Sequence, residues 1–236
     1  MADWREDLLQ HVARKNPTEG ETFAGIADVV REAGFEYCSI GIRRPGIDEQ
    51  PEEMWWSTYP ERWQRYYVAH DFLKLDPVIN GALGSHLPVV WDSRHTSTEH
   101  AFWEAASEHG VHHGWTLGLR GARGEVAVVS LARSSDPVSE AELERDEARW
   151  LWLSHTAIDA LTRQGLPDAA SAARLSVREC EILRWALAGK TSAETGTILG
   201  ISPRTVNFHV AEILQKLNVV NRTQAVAKAL ILGIID

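Results

Sequence analysis

The sequence predicts an α+β chain in two parts: an α/β/α sandwich around an antiparallel sheet of about five strands, then an all-α part of four short helices. Three observations carry this expectation. Helical and extended patterns alternate through the first 165 residues, helix-start signals recur at close intervals after residue 175, and a stretch poor in large apolar groups separates the two. That stretch runs from Arg163 to Ala173 and includes Gly165 and Pro167. The expected domains are therefore 1–164 and 175–236, with a linker over 165–174.

In the first part, Trp4–Arg14 and Glu21–Glu32 have apolar residues at helical spacing, and Phe35–Arg43 alternates larger apolar with smaller residues as a strand does. Met54–Thr58, Leu87–Trp91, Trp115–Arg120 and Val126–Arg133 are the other expected strands. Gly121-Ala122-Arg123-Gly124 is short enough to be a hairpin loop between the last two, which implies antiparallel order. Ser139–Leu161 is a long helical pattern whose Leu143, Trp150, Leu151, Leu153, Ile158 and Leu161 are too apolar to face water. It is expected to pack on the sheet or on a second subunit.

The second part is punctuated more sharply. Ser176-x-x-Glu179 and Thr191-x-x-Glu194 are capping-box patterns, Asn221-x-x-Gln224 is a looser one, and Gly189-Lys190, Gly200 and Asn218 end the runs. Helices follow at about 176–188, 192–199, 203–217 and 222–233. Ser202 is a good N-cap, and Pro203 sits where a missing N–H costs nothing. Val206, Val210, Ile213, Leu214 and Leu217 form one apolar stripe that must be buried. The opposite face presents Arg204, Thr205, Phe208, Ala211, Glu212 and Gln215, flanked by Asn207, His209 and Lys216. The three-residue turn Gly200-Ile201-Ser202 makes the pair a helix-turn-helix, with double-stranded DNA as the implied partner. A plain four-helix bundle is the alternative. Gly196 stands inside the preceding helix, which it is expected to weaken by about 1 kcal/mol.

The net charge of -9 looks wrong for a DNA binder until it is divided. Residues 171–236 hold eight Lys/Arg against five Asp/Glu, a balance of +3 that leaves -12 for residues 1–170. The basic part is the helical part. A balance of +3 is modest, so a homodimer placing two such units on one duplex is expected. No run of about 18 apolar residues occurs and the N-terminus is charged, so no membrane span or signal peptide is expected and the location is expected to be cytoplasmic. Cys38 and Cys180 stand apart, which fits a reducing compartment and two buried thiols. His109-x-x-His112-His113 invites a metal reading but lacks further ligands nearby, so no metal is expected. No nucleophile elbow or Gly-rich phosphate loop marks an enzyme.

Ten tryptophans are present, several of them between Trp55 and Trp91. Tyr59, Trp63, Tyr66 and Tyr67 lie at helical spacing across Pro60–Ala69, followed by Asp76-Pro77. Such stripes are ordinarily core. The other reading is a pocket, because indole N–H, phenol O–H and carboxylate groups need partners when buried, and an apolar cavity with a few such groups holds small amphipathic ligands.

Y-P-x-x-W-x-x-x-Y (Tyr59–Tyr67), D-P-V (Asp76–Val78), P-V-V-W (Pro88–Trp91), F-W-E-A-A (Phe102–Ala106), G-W-T (Gly114–Thr116) and G-A-R-G-E (Gly121–Glu125) resemble the autoinducer-binding domain of the LuxR-type quorum-sensing regulators. L-S-x-R-E-x-E-I-L-x-W-x-x-x-G-K (Leu175–Lys190), I-S-x-R-T-V-x-F-H (Ile201–His209) and K-L-N-V-x-N-R (Lys216–Arg222) resemble that family's DNA-binding domain. The resemblance implies a receptor for an N-acyl-homoserine lactone, with no other cofactor. Trp63 matches the donor to the lactone carbonyl, Asp76 the acceptor for the amide N–H, and Tyr59 and Ser130 the hydroxyls for the acyl carbonyl. Tyr67, Val78, Trp91, Phe102 and Val128 match an apolar slot for the acyl chain. It further implies phosphate contacts by Lys190, Thr191, Arg204, Thr205, Lys216 and Arg222, base reading by Asn207 and Ala211, and Phe208 on the same exposed face, with RNA polymerase as a further partner. Asn207 and Ala211 stand where relatives are frequently basic. That departure keeps open a protein that heterodimerises with a related regulator, and a family member sensing a different small molecule is also open. Lactone hydrolysis is the enzymatic alternative. An Asp76 carboxylate buried without partners is costly, so ligand binding is expected to stabilise the fold.

Overall fold

The computed structural model describes residues 18–44, 51–94, 99–121, 124–164 and 175–235. The expected helix Trp4–Arg14, the linker over 165–174, and Ala122-Arg123 of the hairpin loop lie outside the described residues. The chain divides into two compact units, one carrying the sheet and the other holding the helices from residue 166 onward.

In the first unit, helix α1 (Glu19–Glu32) starts two residues before the periodicity suggests. Thr18 and Glu21 form a capping box there, with the Glu21 N–H donating to the Thr18 hydroxyl. The strands are β1 (Tyr37–Arg44), β2 (Glu52–Ser57), β3 (Val89–Asp92), β4 (His113–Arg120) and β5 (Val126–Arg133), in sheet order β2-β1-β5-β4-β3. Strands β3, β4, β5 and β1 pair antiparallel in turn, as the hairpin spacing implies.

Side-chain alternation gives this sheet two different faces. Ile40, Ile42, Trp115, Leu117, Val129 and Leu131 point to one face and are buried with Ile26 and Val30 of α1 and with Trp150, Leu153, Ala157 and Leu161 of α5 (Glu140–Gln164). The long apolar helix therefore packs on the sheet. It is tethered at its start, where the Trp115 indole donates to Glu147 Oε1 at 2.9 Å. The buried Arg133 guanidinium also donates to both oxygens of Glu142 at 2.9 Å, holding that carboxyl down at about 2. Cys38 is buried in this layer and burial pushes its thiol up to about 12; Cys180, expected to be buried, is only partly covered.

The other face is built in three rows across paired strands: Ser39, Ser130 and Thr116; then Gly41, Val128 and Gly118; then Arg43, Val126 and Arg120. It is overlaid by α2 (Glu61–Ala69), a 3-10 turn (Phe72–Lys74), α3 (Pro77–Leu83) and α4 (His100–Glu108). Gly118 admits α3 directly, since a Cβ there would lie 2.3 Å from the Ala82 carbonyl oxygen.

The second unit has helices α6 (Val177–Leu187), α7 (Ser192–Leu199), α8 (Pro203–Leu217) and α9 (Arg222–Ile231). Ser176, Thr191, Ser202 and Asn221 cap them through their side chains, and Gly200 and Asn218 close α7 and α8 in the left-handed region at φ 66 and 49. Val206, Ile213 and Leu217 enter a core with Ile182, Leu183, Ala225 and Ala229, against which Val210 and Leu214 pack.

Gly196 departs from its expected role. A Cβ there would sit 2.7 Å from the Ile201 carbonyl oxygen and 3.3 Å from the Pro203 nitrogen, so the missing side chain lets α7 close onto the turn. Gly196→Ala gains about 1 kcal/mol of helix propensity, but overpacking against backbone costs about 1–3 kcal/mol. A lower denaturation midpoint is expected; a stabilised variant would contradict the close approach.

Candidate functional site

Between the small-residue face of the sheet and α2, α3 and α4 lies a cavity of about 870 Å³. Tyr59, Trp63, Tyr67, Asp76, Val78, Trp91, Phe102, Val128 and Ser130, separated by up to 71 positions in sequence, all line it. Trp63 is 3% exposed and central to the aromatic wall, its ring 5.6 Å from Tyr67 and 5.9 Å from Phe102. Its indole N–H makes no hydrogen bond among the described residues and is available to a ligand.

Asp76 is buried, yet it has partners. It is the N-cap of α3: Oδ1 accepts from the Val78 and Ile79 N–H groups at 2.8 and 3.1 Å, and Oδ2 accepts from the Tyr67 hydroxyl at 2.8 Å. The expected cost of an unpartnered carboxylate is therefore corrected, since three donors offset much of it. Burial still outweighs them and raises its pKa above the ordinary carboxylate value. A carboxylate offers about four lone-pair directions, which leaves Oδ2 room for a further donor. Tyr67 lines the cavity as well, and its hydroxyl is engaged by Asp76. Burial, and then the Asp76 charge, raise the pKa of both Tyr59 and Tyr67, so each phenol keeps its proton.

Trp91 is more than an apolar wall. Its indole N–H donates to Thr116 Oγ1 at 3.0 Å, and the Thr116 hydroxyl donates to Ser130 Oγ at 3.0 Å. On the facing strand the Trp55 indole donates to Ser39 Oγ at 2.6 Å. Ser39, Gly41, Trp55 and Thr116 were missed by sequence reasoning. The available signal was the small-residue phase of β1, Ser39-x-Gly41, but its meaning depends on which face the strand turns to α2.

On the helical unit, Arg204, Asn207, Phe208 and Ala211 are exposed along α8 and Thr205 is half-buried. Phe208 is 61% exposed. Ser192 of α7 donates to Asn207 Oδ1 at 2.6 Å, fixing that amide at the helix-turn-helix surface. Lys190 lies 3.7 Å from Glu194, and the Thr191 hydroxyl is engaged in its capping box. Lys216 is placed otherwise than expected: its ammonium donates to both oxygens of Glu179 at 2.7 and 2.8 Å, an ion pair that joins α8 to α6 with its lysine end open to water. Arg222 is half-buried, with Nε and Nη2 enclosed and without a hydrogen-bond partner among the described residues, and burial lowers its pKa.

A cavity with convergent polar groups in one unit and a helix-turn-helix in the other define a ligand-responsive DNA-binding regulator. Residues 18–161 match the autoinducer binding domain, and residues 173–229 match the bacterial regulatory proteins of the luxR family. The chain is 35% identical to the transcriptional activator protein AnoR of Acinetobacter nosocomialis over 100% of both proteins. It is 37% identical to the transcriptional activator protein SolR of Ralstonia nicotianae, over 95% of this chain and 96% of that one. Its fold matches a crystal structure of Escherichia coli SdiA with a TM-score of 0.77 at 33% identity, covering 98% of this chain and 97% of that one. A structure of SdiA in complex with octanoyl-rac-glycerol matches at a TM-score of 0.76 and 32% identity, covering 98% and 95%. The chain belongs to the LuxR family of autoinducer-binding transcriptional regulators.

Proposed function

We propose that the small molecule is an N-acyl-homoserine lactone and that the protein acts as a homodimer on a two-fold symmetric promoter site. The observation that carries the ligand is that Trp63, Asp76, Tyr59 and Ser130, which bring an indole N–H, a carboxylate and two hydroxyls, all line this one cavity. Donor, acceptor and donor match, in order, a lactone carbonyl, an amide N–H and an acyl carbonyl. The acyl chain then runs over Val128 and Gly41, where a Cβ would meet nothing within 4 Å. Arg204, Thr205, Lys190, Thr191 and Arg222 are proposed to hold phosphates while Asn207 and Ala211 meet base edges, with Phe208 beside them. The domains are proposed as 1–164 and 175–236 with a linker at 165–174, and the setting as the cytoplasm, with RNA polymerase as a partner at the promoter. No helix of the described residues is long and apolar enough to cross a membrane.

The test is production of the protein in cells supplied with a panel of acyl-homoserine lactones, followed by mass spectrometry of what co-purifies and a mobility-shift assay on its own promoter. Intact lactone and a shifted homodimer complex are expected. Ring-opened product would indicate a hydrolase, and a shift seen only with a related regulator added would indicate a heterodimerising partner. Gly41→Leu is expected to move the retained ligands toward shorter acyl chains without loss of the fold; an unchanged length profile would place the chain elsewhere.

A further inference from the structure

We propose that the pocket selects lactones with an oxygen on the third carbon of the acyl chain, in the 3-oxo form, and that Ser39 is the residue that reads it. This rests on the acyl-homoserine lactone reading above and names the chemical subclass.

The inference comes from where hydroxyl hydrogens are forced to point. An indole N–H donates and cannot accept. Ser39 must therefore accept from Trp55, and its own hydrogen is left for another partner. On the other side Trp91 donates to Thr116, which spends its hydrogen on Ser130. The Ser130 hydrogen is likewise left over. Ser39 and Ser130 are register partners on β1 and β5, on the face that lines the cavity. Directly opposed side chains have Cβ atoms about 5 Å apart. Two tryptophans thus set two hydroxyl donors side by side, one strand spacing apart, facing the same ligand space.

Two donors call for two acceptors on the ligand. With the amide N–H anchored on Asp76, the acyl carbonyl supplies the first at Ser130. The second lies one strand spacing away, within reach of an oxygen two carbons further along the chain. A ketone there accepts only and matches the Ser39 donor. A hydroxyl can accept but must also place its own hydrogen, and a methylene leaves the Ser39 O–H facing alkyl chain. An unpaired donor in a covered site weakens binding by about tenfold or more, and the partial exposure of Trp55 puts this site at the lower end.

The full-length protein is produced in cells supplied with an equimolar mixture of unsubstituted, 3-hydroxy and 3-oxo acyl-homoserine lactones of matched chain lengths, and the retained ligand is quantified by mass spectrometry. At each retained length the 3-oxo form is expected about tenfold over the unsubstituted form. Ser39→Ala is expected to equalise the two while still retaining ligand, and Ser39→Thr to keep the preference. Trp55→Phe is expected to weaken it, because Ser39 is then free to turn its hydrogen away. Equal retention by the natural protein, or an undiminished preference in Ser39→Ala, overturns the proposal. Soluble protein that retains no lactone overturns the ligand class itself, a separate result. If Ser39→Ala fails to fold, the competition on the natural protein and on Trp55→Phe decides.

Discussion

Replacing Asp76 by Asn is expected to leave a folded protein that has lost its ligand, whereas replacing it by Ala loses both. The distinction follows from the two jobs of this carboxylate. Oδ1 caps α3 through Val78 and Ile79, and Asn is as good an N-cap as Asp, so the Asn side-chain oxygen stays there. Its NH2 group is then forced toward the Tyr67 hydroxyl, which turns round and accepts, and toward the ligand amide N–H. Donor now meets donor where a charged acceptor stood. Loss of a charge-assisted hydrogen bond worth about 1.5–3 kcal/mol, with that conflict added, predicts at least a hundredfold drop in affinity with little change in melting temperature. Ala removes the cap, about 1 kcal/mol, and strands the Tyr67 hydroxyl for about 1–3 kcal/mol more. Denaturation and ligand retention measured on both variants separate the two effects. An Asn variant that binds normally would remove Asp76 from the ligand's amide.

The same group gives a pH dependence of defined sign. Burial raises the folded-state pKa of Asp76 above 3.8, so the ligand-free folded chain holds a proton that the unfolded chain has already released. Its contribution to ligand-free stability therefore falls as pH rises through that window. Ligand binding runs the other way, because the amide N–H needs the ionised form, and affinity is expected to fall as pH drops through the raised value. Asn at this position abolishes that dependence.

These residues show where the sequence speaks and where it is silent. The second unit was legible almost to the residue, because its helices are set by local chemistry: a hydroxyl three residues before a Glu, a Pro after a Ser, a Gly in the left-handed region. In the first unit α3 has seven residues, too few for periodicity. Helix α4 follows Glu99 at φ 51 without a side-chain cap, so its start is not marked. Asp76-Pro77 was read as ligand chemistry when it is also a plain helix start. Ser39 and Trp55 were invisible for another reason, since their meaning lies in strand register, which pairs Ser39 with Ser130 across 91 positions. The pairing of Lys216 was hidden by distance in the chain, its partner Glu179 being 37 residues away on α6.

Lys216 and Arg204 are therefore expected to fail differently when changed to Ala. Glu179 has a side chain only 4% exposed, and Lys216 is 37% exposed above it. Burial by itself raises the Glu179 pKa; the Lys216 ammonium and the Ser176 N–H reverse this and bring it below the ordinary value. Its contribution to stability is thus present above pH 4.5 and lost as pH falls below it. Removing Lys216 leaves a covered carboxylate with only the Ser176 N–H and hydroxyl as donors. Breaking a fully buried pair costs about 3–5 kcal/mol, and water at the lysine end reduces that to about 2 kcal/mol here. Lys216→Ala should melt well below the natural protein but bind DNA with an unchanged salt dependence at temperatures where it remains folded. Arg204→Ala should melt normally and weaken binding to specific and random DNA alike, with the salt slope reduced by about one phosphate contact. Calorimetry and salt-titrated mobility shifts on the two variants make the comparison. A normal melt with a reduced salt slope for Lys216→Ala would return Lys216 to the phosphate backbone. The opposite pair of results places one lysine among the forces that hold α6 against α8, and leaves a recognition helix whose phosphate contacts begin at its N-terminal turn, where Arg204 and Thr205 stand and the helix dipole already favours an anion.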